Sequence, residues 1–136
     1  MDEKRHKAMI HEEICTYEVA KLAKEKGFNE PTRTVKVEKI EGTEKEVWDE
    51  EEYRYITQWE TRSLRIPTQS LLQRWLREEK GYYVYPFFDN NELKWTWVCR
   101  EKTGDMWIPL VGETPYFDTY ELALEDALKY SLENLV

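Results

Sequence analysis

Between Pro67 and Gly81 the chain carries a helix with both ends marked and one apolar side, and this segment constrains the fold more than any other. Pro67 and Thr68 start it, Leu71, Leu72, Trp75 and Leu76 recur at helical spacing, and Gly81 stops it. The opposite side, Gln69, Gln73, Arg74, Arg77 and Lys80, is assigned to water. Such a stripe needs an apolar surface to lie on. Three extended stretches follow at once, near residues 82–88, 93–101 and 106–111, divided by the turn signals Asp89-Asn90-Asn91 and Lys102-Thr103-Gly104-Asp105. They predict an antiparallel meander whose middle strand is 93–101. Pro86 and Pro109 cannot donate to a ladder, so both belong at outward-facing edge positions or bulges.

Before this unit, Thr16 caps a helix with Val19, Ala20, Leu22 and Ala23 on one face, and Gly27-Phe28 ends it. Pro31 prevents continuation. Val35, Val37 and Ile40 then alternate as a strand, and a second extended stretch lies within Trp48–Trp59. Between them, Glu41 to Glu52 holds seven acidic residues against one lysine and reads as a solvated loop. A final helix is expected from Asp118, with Asp118 and Glu121 as a capping box and Tyr120, Ala123, Ala127, Leu128, Leu132 and Leu135 as its buried side. The order α-β-β-α-β-β-β-α lacks repeated β-α-β crossovers, so the fold class is α+β, an antiparallel sheet packed against helices. Its second half, α-β-β-β-α, resembles the double-stranded-RNA-binding domain in topology. Those domains grip phosphates with basic residues at the start of the last helix, whereas here that helix has five acidic residues and only Lys129 opposing them.

At 136 residues the chain suits one core, read as an N-terminal arm over 1–13 and a single domain over 14–136. A net charge of −8 disfavours binding to phosphate backbones and anionic membranes. No run of about 18 apolar residues is present to span a bilayer. The charged N-terminus offers no signal-peptide core, so a cytoplasmic location is expected. Cys15 and Cys99 stand far apart and outside any paired motif, as small buried groups and not as a disulfide framework.

No catalytic or metal-ligating residue can be nominated, and no cofactor. His6 and His11 are five apart, which does not place two ligands on one helix face, and the commonest hydrolase, zinc-protease and structural-zinc motifs are missing. Each glycine already has a turn or helix end to serve, so none is left for a phosphate-cradling loop.

What remains is the aromatic meander. A loop at Asp89–Glu92 sets Val84 opposite Trp97 and puts Trp97, Cys99, Ile108 and Leu110 on the helix-covered face. The other face then shows Tyr83, Tyr85, Phe87, Lys94, Thr96, Val98, Arg100 and Trp107, rings bordered by cations. From these, Tyr83, Tyr85, Phe87, Lys94, Arg100 and Trp107 form the candidate binding face. Monomers rarely expose large apolar patches, so cover by the first two strands, the acidic segment or a second copy in a homodimer is the expected state.

Three blocks, ICTYEVAKLAKEKGF at 14–28, IPTQSLLQRWLREEKG at 66–81 and YFDTYELALEDAL at 116–128, together resemble a group of short uncharacterised proteins encoded in phages and prophages of gut Bacteroidales. The resemblance implies a phage or mobile-element setting and carries no activity, ligand or residue role. The expectation is a non-enzymatic accessory protein that binds a host or phage protein. The alternatives are a single-stranded nucleic-acid or other ligand platform on the aromatic face, and a small enzyme with an unrecognised site.

Overall fold

The computed structural model describes residues 12–32, 34–39, 44–47 and 60–136. The elements are α1 (Tyr17–Glu25), β1 (Thr34–Lys39), β2 (Glu44–Val47), β3 (Glu60–Ile66), α2 (Gln69–Trp75), β4 (Tyr82–Asp89), β5 (Lys94–Thr103), β6 (Met106–Pro109) and α3 (Tyr120–Asn134). The fold is α+β, with two antiparallel three-stranded sheets in the orders β2-β1-β3 and β4-β5-β6. Among the described residues three strands, where two were expected, precede α2. β1 lies where the alternation placed it, β2 falls inside the acidic segment expected as a loop, and β3 follows the Trp48–Trp59 stretch, which lies outside the described residues. His6, His11 and most of the N-terminal arm also lie outside them.

Each helix starts on a threonine whose hydroxyl accepts a backbone N–H three residues on: Thr16 from Val19, Thr68 from Leu71 and Thr119 from Leu122. The last helix therefore begins one residue after the expected Asp118 cap, because the Asp118 carboxylate is taken by Lys94 at 2.7 Å. At the end of α1, Gly27 adopts φ 101° and Phe28 donates its N–H to the Ala23 carbonyl, turning the Phe28 ring back onto Trp75 at 5.4 Å. α2 continues as a π turn over Leu76–Lys80 and stops at Gly81, φ 79°.

α2 and α3 cover one face of the second sheet, and α1 packs against α3 and β3. The main core joins Val19, Ala23 and Phe28 to Leu72, Trp75 and Leu76 of the second helix, Val84, Trp97 and Cys99 of the sheet, and the Ala123, Leu124, Ala127, Leu128 and Leu132 stripe of α3. A smaller cluster sets Ala20 of α1 against Leu64 and Ile66 of β3. Two alanines on α1, Ala20 and Ala23, let it bury surface on both sides at close approach.

The glutamines of α2 overturn their assignment to water. Gln69 is only 4% exposed, and its side-chain amide donates to the Glu121 carbonyl and the Glu125 carboxylate. Glu125 also accepts from the backbone N–H and hydroxyl of Thr16, so one carboxylate gathers the starts of α1 and α2 onto α3. Gln73 donates to the Val84 carbonyl on the outer edge of β4.

Candidate aromatic binding face

β4 and β5 pair with Val84 opposite Cys99, Pro86 opposite Trp97 and Phe88 opposite Trp95, two residues offset from the expected alignment. The tip occupies 90–93 instead of 89–92, because the Asp89 carboxylate accepts from the N–H groups of Asn91 and Glu92 and so belongs to the strand end. An offset of two leaves every side chain on its expected face. Val84, Trp97 and Cys99 are buried beneath the helices. The Lys102 N–H bonds the Gly81 carbonyl, and the Leu110 N–H bonds the Cys99 carbonyl. By the alternation of the ladder, both Pro86 and Pro109 then turn their ring nitrogens away from β5, as their chemistry requires. Ile108 and Leu110 share the parity of the covered face but are exposed, because β6 extends past the helices.

On the other face the structure divides the six candidate residues into two groups. Tyr83, Tyr85, Arg100 and Trp107 meet in one half-buried cluster: the Tyr83 and Tyr85 rings lie 4.7 Å apart, and Tyr83 meets Trp107 edge-on at 5.9 Å. Arg100 donates from Nε to the Tyr85 hydroxyl at 3.1 Å and from Nη1 towards the Trp107 carbonyl. Phe87 and Lys94 stand apart at the hairpin end, both exposed, with Lys94 held by Asp118. Thr96, directly opposite Phe87 on β5, is buried because the segment before α3 runs over it: its hydroxyl reaches the Pro115 carbonyl at 2.7 Å, and Thr114 donates to the Trp97 carbonyl. Phe117 then pairs with Trp95 through two backbone bonds, occupying the β5 edge that β6 leaves vacant.

The cluster gains a residue that spacing alone did not nominate. Arg77, at the start of the π turn, places its guanidinium 5.4 Å from the centre of the Tyr83 ring, a cation–π contact. The signal was its place three residues from Arg74 and four from Gly81, close to where the chain turns into β4. Arg77 also borders a cleft of about 520 Å³, together with Gln73, Arg74, Thr68, Ser70 and Glu12.

Cys15 and Cys99 are free and buried. Burial, with the Glu125 and Glu13 charges nearby, pushes the Cys15 thiol far up, and burial is the main cause pushing Cys99 up to about 11. Both shifts are opposite to what activates a nucleophile. Among the described residues no group of three His, Cys, Asp or Glu side chains is placed to hold a metal ion. No described helix is long and apolar enough to cross a membrane. No family model, curated protein or solved structure matches the chain.

Proposed function

We propose that this chain is a non-enzymatic accessory protein of a phage or prophage, acting in the host cytoplasm by holding a protein partner on the Tyr83–Tyr85–Trp107 face. The observation that carries this reading is the cluster itself: three half-buried rings flanked by Arg77 and Arg100. Tyrosine, tryptophan and arginine dominate binding energy at protein interfaces, since they bring large area and directed donors with few rotors to freeze. β3, meanwhile, is packed on α1 through Leu64 and Ile66. The partner meets the rings with apolar side chains and offers carboxylates or carbonyl oxygens to the two arginines.

The test is affinity capture at physiological salt with the wild type and a Tyr83→Ala/Trp107→Ala variant whose circular dichroism is unchanged. A partner retained by the first and lost by the second supports the reading. Recovery of the same set by both would refute it.

Single-stranded nucleic acid is the second occupant that stacked rings beside arginines favour. The geometry weighs against it, because the rings tilt 40° and 66° to one another and so shield each other's faces. The chain's charge of −8 also repels phosphates. Labelled oligonucleotides at low salt are expected to show no binding.

A further inference from the structure

Cations collect around the Tyr83 cluster in a chain whose net charge is −8. Arg100 stands directly opposite Tyr83 in the β4–β5 pairing, and Lys102 stands directly opposite Trp107 in the β5–β6 pairing. Residues paired in this way share a face, with Cβ atoms about 5 Å apart, so both cations lie on the side of the rings. Arg77 joins them from the π turn, its guanidinium 5.4 Å from the centre of the Tyr83 ring. Three positive side chains therefore border three rings. By the same alternation, the outward positions of β4, β5 and β6 include a single acid, Asp89, and it closes β4 at the hairpin end, where the Tyr116 hydroxyl donates to it.

The three cations are not equally committed. Arg100 holds the cluster together, donating to the Tyr85 hydroxyl and towards the Trp107 carbonyl. Arg77 has only Glu78 at 3.8 Å, and so exposed a pair is worth little. Lys102 is exposed and forms no ion pair among the described residues. Arg77 and Lys102 are thus the charges this face offers to a ligand. Charge is felt over about 8 Å at physiological ionic strength, so these neighbours, and not the distant carboxylates of the chain, set the potential above the rings.

We infer, on the premise that this face binds a protein, that its occupant is a short acidic segment whose apolar side chains lie on Tyr83, Tyr85 and Trp107 while its carboxylates meet Arg77 and Lys102. A nucleic-acid strand carries a charge at every nucleotide and needs a longer track of cations. Here the track ends where Glu78 and Glu79 follow Arg77 and where Asp89 closes β4. A second copy docked face to face would set the three cations against their own images, and a basic segment would meet the same repulsion.

The test is an NMR titration of the full chain with a short synthetic peptide of glutamates and leucines, beside its counterpart with lysines for glutamates. The glutamate peptide is expected to shift the amides of Tyr83, Arg100 and Trp107 and to weaken with added salt, and the lysine peptide to leave them in place. Lys102→Glu is expected to weaken binding about fivefold or more, and Arg77→Gln to weaken it as well. Lys21→Glu, the same change of charge at an exposed position on α1, should leave it unaltered. Failure of the glutamate peptide to bind, equal binding of the two peptides, or equal loss in the Lys102 and Lys21 variants would overturn the inference. So would an oligonucleotide that shifts the same amides, or a dimer in sedimentation that Lys102→Glu dissolves. Affinity capture separates the acidic occupant from the binding face it rests on. A partner lost by Tyr83→Ala/Trp107→Ala but fully held by Lys102→Glu/Arg77→Gln would overturn the first and keep the second, whereas a partner held by both variants would remove the face itself.

Discussion

Leu93 and Asp89 show two residues holding a hairpin tip against local preference. A leucine at φ 57° crowds its side chain against the following carbonyl, which costs about 1–2 kcal/mol. Asp89 offsets this by accepting from two backbone N–H groups and the Tyr116 hydroxyl. Leu93→Gly is expected to raise stability by about 1 kcal/mol, measured by urea denaturation, because glycine enters that region freely. Those three hydrogen bonds, the Asn91 N–H foremost, hold the Asp89 carboxyl below its ordinary 3.8. A depressed carboxyl contributes stability that is complete above its unfolded value and is lost as pH falls through the folded one. The Asn91 and Glu92 amide signals should therefore stay fixed at neutral pH and shift in acid, with a midpoint below 3.8. Asp89→Asn should abolish that transition.

At the scale of the element, the threonine caps make a graded series. Thr68 and Thr119 each accept one N–H, and replacing either by alanine should cost about 1 kcal/mol. Thr16 also donates to Glu125 at 2.7 Å, linking α1 to α3, so Thr16→Ala should cost more than either, about 2 kcal/mol. Chemical denaturation of the three variants checks the order. Leu128, fully buried on α3, should lose about 2–5 kcal/mol on truncation to alanine. Helix starts and stops were legible because Thr16, Gly27, Thr68 and Gly81 act through their own backbone and its nearest neighbours. The buried side of α3 was legible at Ala123, Ala127, Leu128 and Leu132, but the expected stripe wrongly included Tyr120, which is exposed on the first turn, and missed Leu124 and Ser131, where contact with both the sheet and α1 widens it. The faces of β4 and β5 were legible although their alignment was not. Period-two alternation survives an offset of two, whereas the offset depends on which tip residue Asp89 caps.

At the scale of the whole molecule, the two thiols report on the packing that closes around them. Cys15 lies where the start of α1 meets α2 and α3, and Cys99 lies under α3, so a disulfide-exchange reagent at pH 8 should modify neither in the native chain and both after unfolding. Reaction of Cys99 at its unfolded rate would mean that α3 lifts from the sheet. The candidate face was legible in part for a related reason. Alternation places Tyr83, Tyr85, Arg100 and Trp107 together, but alternation has no information about length along the strand. It grouped them with Phe87 and Lys94, which stand exposed towards the hairpin end, Lys94 bound to Asp118.

The sequence by itself determined the α+β class, the helix ends, the meander and the inward and outward faces of its strands, all of which depend on groups within a few residues of one another. Tertiary structure alone decided that Gln69 would be buried against Glu121 and Glu125 and that Arg77 would lie on Tyr83. Gln69 and Glu125 stand 56 residues apart, and no local preference encodes the packing that brings them within hydrogen-bond distance.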